Sequence, residues 1–234
     1  MRVILLSTFV LFIILACQQT ETGNIIDEYG NPAAEGFNAE ASDSMAIVIA
    51  DSVMKAMGGR ENWDNTRFIS WNFFGRRVHS WDKLEGLNRI EFQNEDLLME
   101  FNVHTKEGMV VREGEEVTDE VEKAELLQRG YEIWVNDSYW LLMPYKLKDS
   151  GVTLTYLGQE ESPEGVPSHK LQLTFNEVGV TPQNKYHVFV DTTDFLVKHW
   201  MYFPEAEMEE PRISTVWAEY EKHGNILLSG NRGR

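Results

Sequence analysis

The chain has 234 residues, with 38 acidic against 21 basic side chains, a formal net charge of −17 and one cysteine. A surface this acidic, with no basic stripe, repels phosphate backbones and argues against a nucleic-acid partner. One cysteine excludes an intrachain disulfide framework, so the fold must stand on its own hydrophobic core.

Behind Arg2, the run Val3 to Ala16 is apolar except for Ser7 and Thr8. A spanning helix needs ~20 apolar residues to cross the hydrocarbon. This shorter run, followed by polar residues and no stop-transfer charge cluster, fits the apolar core of a secretory signal better than a single-pass anchor. Its end, Ile14-Leu15-Ala16-Cys17, resembles the bacterial lipobox. That resemblance implies a signal peptide over residues 1–16, cleavage before Cys17 and lipid attachment on the Cys17 thiol. The expected partner is then a membrane, reached through an N-terminal lipid. The expected location is the cell envelope, at the outer membrane, with the periplasmic and surface faces both open. More than one acyl chain is needed for stable anchoring.

Residues 17–41, rich in Gly, Asn, Glu and Ala, read as a lipidated flexible linker, and residues 42–234 as a single domain. The domain opens on a helix that Ser42 or Ser44 is placed to cap, with Ile47, Ala50, Val53, Met54 and Met57 at helical spacing and Gly58-Gly59 as its stop. Strand patterns follow over residues 67–75, 77–81, 87–93, 97–104 and 109–112. A helical insertion comes next, with Thr118 as cap, Asp119 and Glu120 in its first turn, and Val121, Ala124, Leu127, Tyr131, Trp134 and Val135 on one face. Asn136-Asp137-Ser138 reads as helix punctuation before a second apolar segment, Tyr139 to Met143, which Pro144 helps end. Further strands are expected over 152–158, 169–175, 185–191, 196–203, 213–220 and 226–229. Between 185 and 203, Tyr186, Val188 and Val190 share one face with Trp200 and Tyr202, while Phe189 and Val197 lie on the other, so neither face is expected to meet water.

Helix, antiparallel strands, helical insertion, further antiparallel strands: this order resembles the lipoprotein-carrier superfamily of LolA, LolB and LppX-like proteins. The resemblance implies an α+β fold, an antiparallel half-barrel of about ten or eleven strands. Its N-terminal helix and helical insertion pack on the concave side. The words Tyr139-Trp140-Leu141-Leu142-Met143-Pro144-Tyr145-Lys146-Leu147, Gly179-Val180-Thr181-Pro182 and Gly224-Asn225-Ile226-Leu227-Leu228 resemble those of uncharacterised Bacteroidota-type envelope lipoproteins. That likeness implies a fold and no activity.

A search for reaction chemistry finds no nucleophile elbow, no zinc-protease or Cys-x-x-Cys motif, no phosphate loop and no calcium loop. His187 and His199 are expected opposite each other across a hairpin with a loop of Thr192 to Asp194. No third metal ligand is identifiable there, and a cross-strand polar pair accounts for them. The acidic residues Glu205, Glu207, Glu209 and Glu210, bounded by Pro204 and Pro211, read as a solvated loop. The chain is therefore expected to be a monomer with no catalytic residues, no cofactor and no metal. Aromatic residues are the remaining signal. Most must pack the core. A subset, Trp71, Phe73, Phe101, Trp134, Trp140, Tyr186, Trp200 and Tyr202, is expected to line a hydrophobic cavity for a lipid or a lipoprotein acyl chain. The alternative is a structural or interaction module whose interior is filled by its own side chains.

Overall fold

In the computed structural model, residues 30–176 and 181–233 are described. Cys17, the signal segment and Gly179-Val180 lie outside them. Residues 68–116 form a six-stranded antiparallel meander in chain order: β1 (Phe68–Phe73), β2 (Arg77–Asp82), β3 (Leu87–Phe92), β4 (Leu97–Asn102), β5 (Gly108–Arg112) and β6 (Glu115–Glu116). Alternation builds its dry face. Leu97, Met99 and Phe101 of β4 point inward while Leu98, Glu100 and Asn102 are half-buried. The first hairpin reverses at Phe74 and Gly75, at φ +50° and +70°, a left-handed pair suited to the twist of the flanking strands.

The second meander is five-stranded, with β7 (Val152–Glu161), β8 (Pro167–Phe175), β9 (Lys185–Asp191), β10 (Val197–Phe203) and β11 (Ile213–Val216) in spatial order β11-β10-β9-β8-β7. A separate hairpin, β12 (Ala218–His223) with β13 (Ile226–Asn231), completes the chain. The described strands are antiparallel and open, and none closes a barrel, which agrees with the expected half-barrel with helices packed on it. The expected strand at 213–220 is two strands. Trp217, fully buried against Trp200 at 5.1 Å between ring centroids, separates them and turns the chain from one sheet into the other. The short β6 has no hydrophobic period and was not visible as a pattern.

Helix α1 (Ser44–Ala56) buries Ala46, Ile49, Ala50 and Val53 in the larger core, with Leu154, Leu171, Leu173 and Val188 of the five-stranded sheet. Its expected cap serves the sheet instead. Ser42 Oγ accepts from the Leu154 amide at 2.9 Å, and Asp43 Oδ2 accepts from the Tyr156 amide at 2.8 Å. A short α2 (Arg60–Asn65) follows. The linker boundary is corrected as well. Asn31 is buried, and its amide donates to Asp51 Oδ1 at 2.8 Å. Lys148 Nζ reaches the Asn31 carbonyl and Asp51 Oδ1, each at 2.6 Å. The Ala34 and Asn38 amides bond to the backbone at Lys148 and Val152, so residues 30–41 belong to the domain. The reason is chemical: Asp51 and Lys148, a buried ion pair, take further polar partners from this segment.

Helix α3 (Glu120–Leu142) ties the two cores together. Asp119, not Thr118, is its cap, accepting from the amides of Val121 and Glu122. Leu127 packs with Ile90, Met99, Phe101 and Val110 of the first sheet, and Leu142 enters the larger core. Val121, expected on the buried face, is 70% exposed in the first turn. Gly130 lies against the first sheet. A Cβ there would stand 2.9 Å from Met99 Sδ and 3.0 Å from a Phe101 ring carbon, so a side chain would push the helix off the sheet.

The helix runs unbroken through Asn136-Asp137-Ser138, which the sequence had suggested as punctuation. Asp137 is fully buried, and Arg77 grips its carboxylate with two hydrogen bonds, from Nε to Oδ2 and, at 2.8 Å, from Nη2 to Oδ1. His79 Nε2 donates to Oδ2 at 2.9 Å and Asn136 Nδ2 to Oδ1 at 2.9 Å. Burial drives the Asp137 carboxyl upward. The hydrogen bonds from Arg77, His79 and Asn136 outweigh that, and the group lies below its ordinary value. Removing the carboxylate leaves a buried cation unpaired, so Asp137→Ala is expected to cost about 3–5 kcal/mol in urea unfolding. A folded value below the unfolded one stabilises the fold above the ordinary carboxylate range, and this contribution is lost as pH falls through the folded value. Wild-type stability should therefore decline on acidification over that range, and Asp137→Ala should show a shallower decline.

Candidate functional site

Two residues after Asp137, the opposite face of α3 presents Tyr139, because positions i and i+2 on a helix do not share a face. It faces the five-stranded sheet, against Phe175, Tyr186 and Trp200. Between them lies a cavity of about 430 Å³. Trp134, Tyr139 and Trp140 of α3 form one wall, and Phe175 of β8, Tyr186 of β9 and Trp200 and Tyr202 of β10 form the other. The register places Tyr186 opposite Tyr202 and Val188 opposite Trp200, so the rings share one side of the sheet by the period of two.

The rings brace one another. Tyr186 stacks on Trp200 with centroids 5.1 Å apart and planes 16° apart, and Trp140 meets Trp200 edge-on at 4.8 Å. Tyr139 lies 5.2 Å from Tyr186 and 6.0 Å from Trp200. Polar groups stand at the edge of this lining. Lys146 is paired with Asp149, and Asn184 donates to Thr181 Oγ1 at 2.6 Å while approached by the Tyr202 hydroxyl at 3.4 Å. Burial pushes the Tyr139 and Tyr186 hydroxyls far above the ordinary tyrosine value, so both stay protonated at neutral pH. Neutral hydroxyls, indoles and one ion pair suit the holding of apolar matter.

Of the residues expected to line one cavity, Trp134, Trp140, Tyr186, Trp200 and Tyr202 come together here. Trp71 and Phe73 do not. They line a different hollow of about 550 Å³ on the other side of α3, between β1 and the β12–β13 hairpin, which Trp140 also touches. Phe101 lines neither. It is 1% exposed, packed with Met99 under Gly130 in the first core. Tyr139 and Phe175 were missed, though each is legible in hindsight: Phe175 alternates with Leu171 and Leu173 in β8. The histidine pair is corrected too. The turn is longer than Thr192 to Asp194, with the Asp191 amide bonded to the Leu196 carbonyl, and β10 carries an irregularity between Val197 and His199. His199 therefore faces Phe189, and His187 faces Met201. His199 bonds Glu164 and Ser214, while His187 bonds Gln172. Among the described residues, no group of three or more His, Cys, Asp and Glu side chains is placed to hold a metal ion. Among the same residues, no helix is long and apolar enough to cross a membrane.

Among the described residues, the Tyr139 hydroxyl and the indole nitrogens of Trp134 and Trp200 are buried with no hydrogen-bond partner. A buried donor left unpaired costs ~1–3 kcal/mol. Tyr139→Phe removes one such group and keeps the ring, so it is expected to raise stability by about 1 kcal/mol in urea unfolding. A loss of stability would show that the hydroxyl has a partner.

No protein-family model matches the chain, and no curated protein matches it. Among solved structures, a DUF1329 family protein from Desulfovibrio piger is similar to this chain. The match covers 79% of this chain and 83% of that one, at 12% sequence identity and a TM-score of 0.40.

Proposed function

We propose that this protein is an envelope lipoprotein, tethered to the outer membrane through lipid on Cys17, that holds an acyl chain in the cavity between α3 and the five-stranded sheet. It acts as a binder, not an enzyme. One observation carries this reading: a space of about 430 Å³ between α3 and the five-stranded sheet that is walled on both sides by aromatic rings. Ligand pockets are of this size, mostly apolar, with a few polar groups that orient one end of the ligand. Apolar surface withdrawn from water contributes about 25 cal/mol per Å², so an acyl chain laid against these rings binds without a charged partner. The paired Lys146 and Asp149, with Asn184, give the polar end of a lipid a wet rim to face. The resemblance of the element order to the lipoprotein-carrier half-barrels points the same way.

The test is mass spectrometry of the full chain extracted from bacterial membranes in mild detergent. Native spectra are expected to carry a lipid-sized adduct that organic solvent removes, and denatured spectra to retain acyl mass on a peptide beginning at Cys17. Native spectra without an adduct, after incubation with fatty acids and phospholipids, would contradict the binding role. A peptide spectrum with an unmodified thiol would contradict the tether.

A further inference from the structure

β1 is the outermost strand of its sheet, and its outer edge pairs with no strand among the described residues. Its sequence, Phe68-Ile69-Ser70-Trp71-Asn72-Phe73, has no charge and no proline. Phe68 is 70% exposed. Soluble proteins guard such edges with charged residues, proline or bulges, because a bare row of amides and carbonyls recruits another strand. Beside this edge, where Arg67, paired with Asp82, lays its guanidinium over the Phe68 ring at 4.9 Å, runs a trough. Two adjoining hollows, of about 550 and 410 Å³, share Ser70, His223 and Leu228, and together follow β1 from Phe68 to Phe73.

The far wall is the β12–β13 hairpin. Its register sets Glu221 opposite Leu228 and His223 opposite Ile226, so one face supplies an apolar floor from the buried Ile226 and Leu228 under an exposed acidic rim, Glu219 and Glu221. Arg232 also borders the trough, but it is 6% exposed. Its guanidinium lies 3.5 Å from the Trp217 ring centroid and donates to the carbonyls of Asn231 and Trp140. Asp137, at the α3 side, is neutralised by Arg77. The charge that the trough offers to solvent is therefore negative.

We propose that this trough receives an extended polypeptide segment with basic residues at alternate positions, which adds to β1 as a further strand. Glu219, in a left-handed backbone conformation at φ +54°, and Glu221 both border the larger hollow, so alternate basic side chains of an extended segment lying in it can reach both carboxylates. Backbone bonds to β1 supply affinity, and alternate side chains supply choice of partner. Basic residues meet the carboxylates, and the apolar residues between them meet the floor or Phe68. A second copy of this chain is disfavoured as occupant. Pairing β1 with β1 brings two acidic rims together in a molecule of net charge −17. The proposal is independent of whether the ring-walled cavity holds a lipid.

The test uses the full chain in non-ionic detergent and a fluorescent ten-residue peptide of alternating lysine and valine, read by anisotropy and by hydrogen exchange. Saturable binding is expected, with slowed amide exchange over residues 68–73. Methylating alternate peptide nitrogens keeps the charge but removes strand bonds, and should weaken binding at least tenfold. The exposed double variant Glu219→Gln/Glu221→Gln should weaken it at least tenfold as well. The proposal is overturned by absent binding, by equal binding of the methylated peptide or of a glutamate–valine peptide, by an unaffected double variant, or by a β1-linked dimer that forms in place of the complex.

Discussion

A single buried carboxylate sets the rotation of the central helix, and the rest of the molecule is arranged around that setting. Asp137 sits on the one side of α3 where Arg77 and His79 of β2 can satisfy it. A buried charge tolerates no other orientation, since turning the helix would strand both Asp137 and Arg77. With Asp137 fixed toward the first sheet, Tyr139 must face the second, and Trp140 falls between the two and borders both hollows. Gly130, two turns earlier, fixes how closely the same helix lies on Met99 and Phe101. Rotation and depth of α3 are thus set at its contacts with the first sheet, and the consequences appear at its contacts with the second.

The space left on that second side persists because its walls are rigid. Tyr186, Trp200 and Trp140 hold one another by stacked and edge-on contacts, and Trp217 backs Trp200 from behind. Aromatic side chains have few rotatable bonds, and each ring here is already held by neighbours, so collapse into the void would break several good contacts at once. The unpaired Tyr139 hydroxyl and Trp200 indole fit the same account. A wall selected only for stability would carry phenylalanine at the first of these.

Much of the fold was legible from periodicity. The alternation in His169 to Phe175 and the shared face of Tyr186, Val188, Trp200 and Tyr202 are direct readings of a half-buried strand, and the structure reproduces both; Val197, expected on the other face with Phe189, instead pairs with Val190 and joins the larger core, because the irregularity before His199 shifts the alternation of β10. The cavity was legible in part for the same reason: its sheet-borne rings follow that alternation. Three things were not. Asp137 looked like punctuation because its partners lie 58 and 60 positions away, and in a chain with 38 acidic residues no single carboxylate stands out. Residues 30–41 looked like linker because Asn31 and Phe37 act through distant partners, Asp51 and the larger core, and not through a local pattern. Phe101 was assigned to the cavity by composition, although its alternation with Leu97 and Met99 already placed it on the dry face of β4. Local period reveals which face is dry. It does not reveal whether that face meets another side chain or a void.

The central claim is that an acyl chain enters between α3 and the five-stranded sheet, and the seven tryptophans make it directly measurable. Fluorine NMR of the protein labelled with 5-fluorotryptophan, titrated with a long-chain fatty acid, reports each indole separately once assigned by single Trp→Phe substitutions. The account predicts that the resonances of Trp134, Trp140 and Trp200 shift saturably while that of Trp63, packed on Tyr145 away from the cavity, stays in place. Unmoved resonances for the three cavity indoles at saturating ligand, or shifts confined to Trp63, would contradict it.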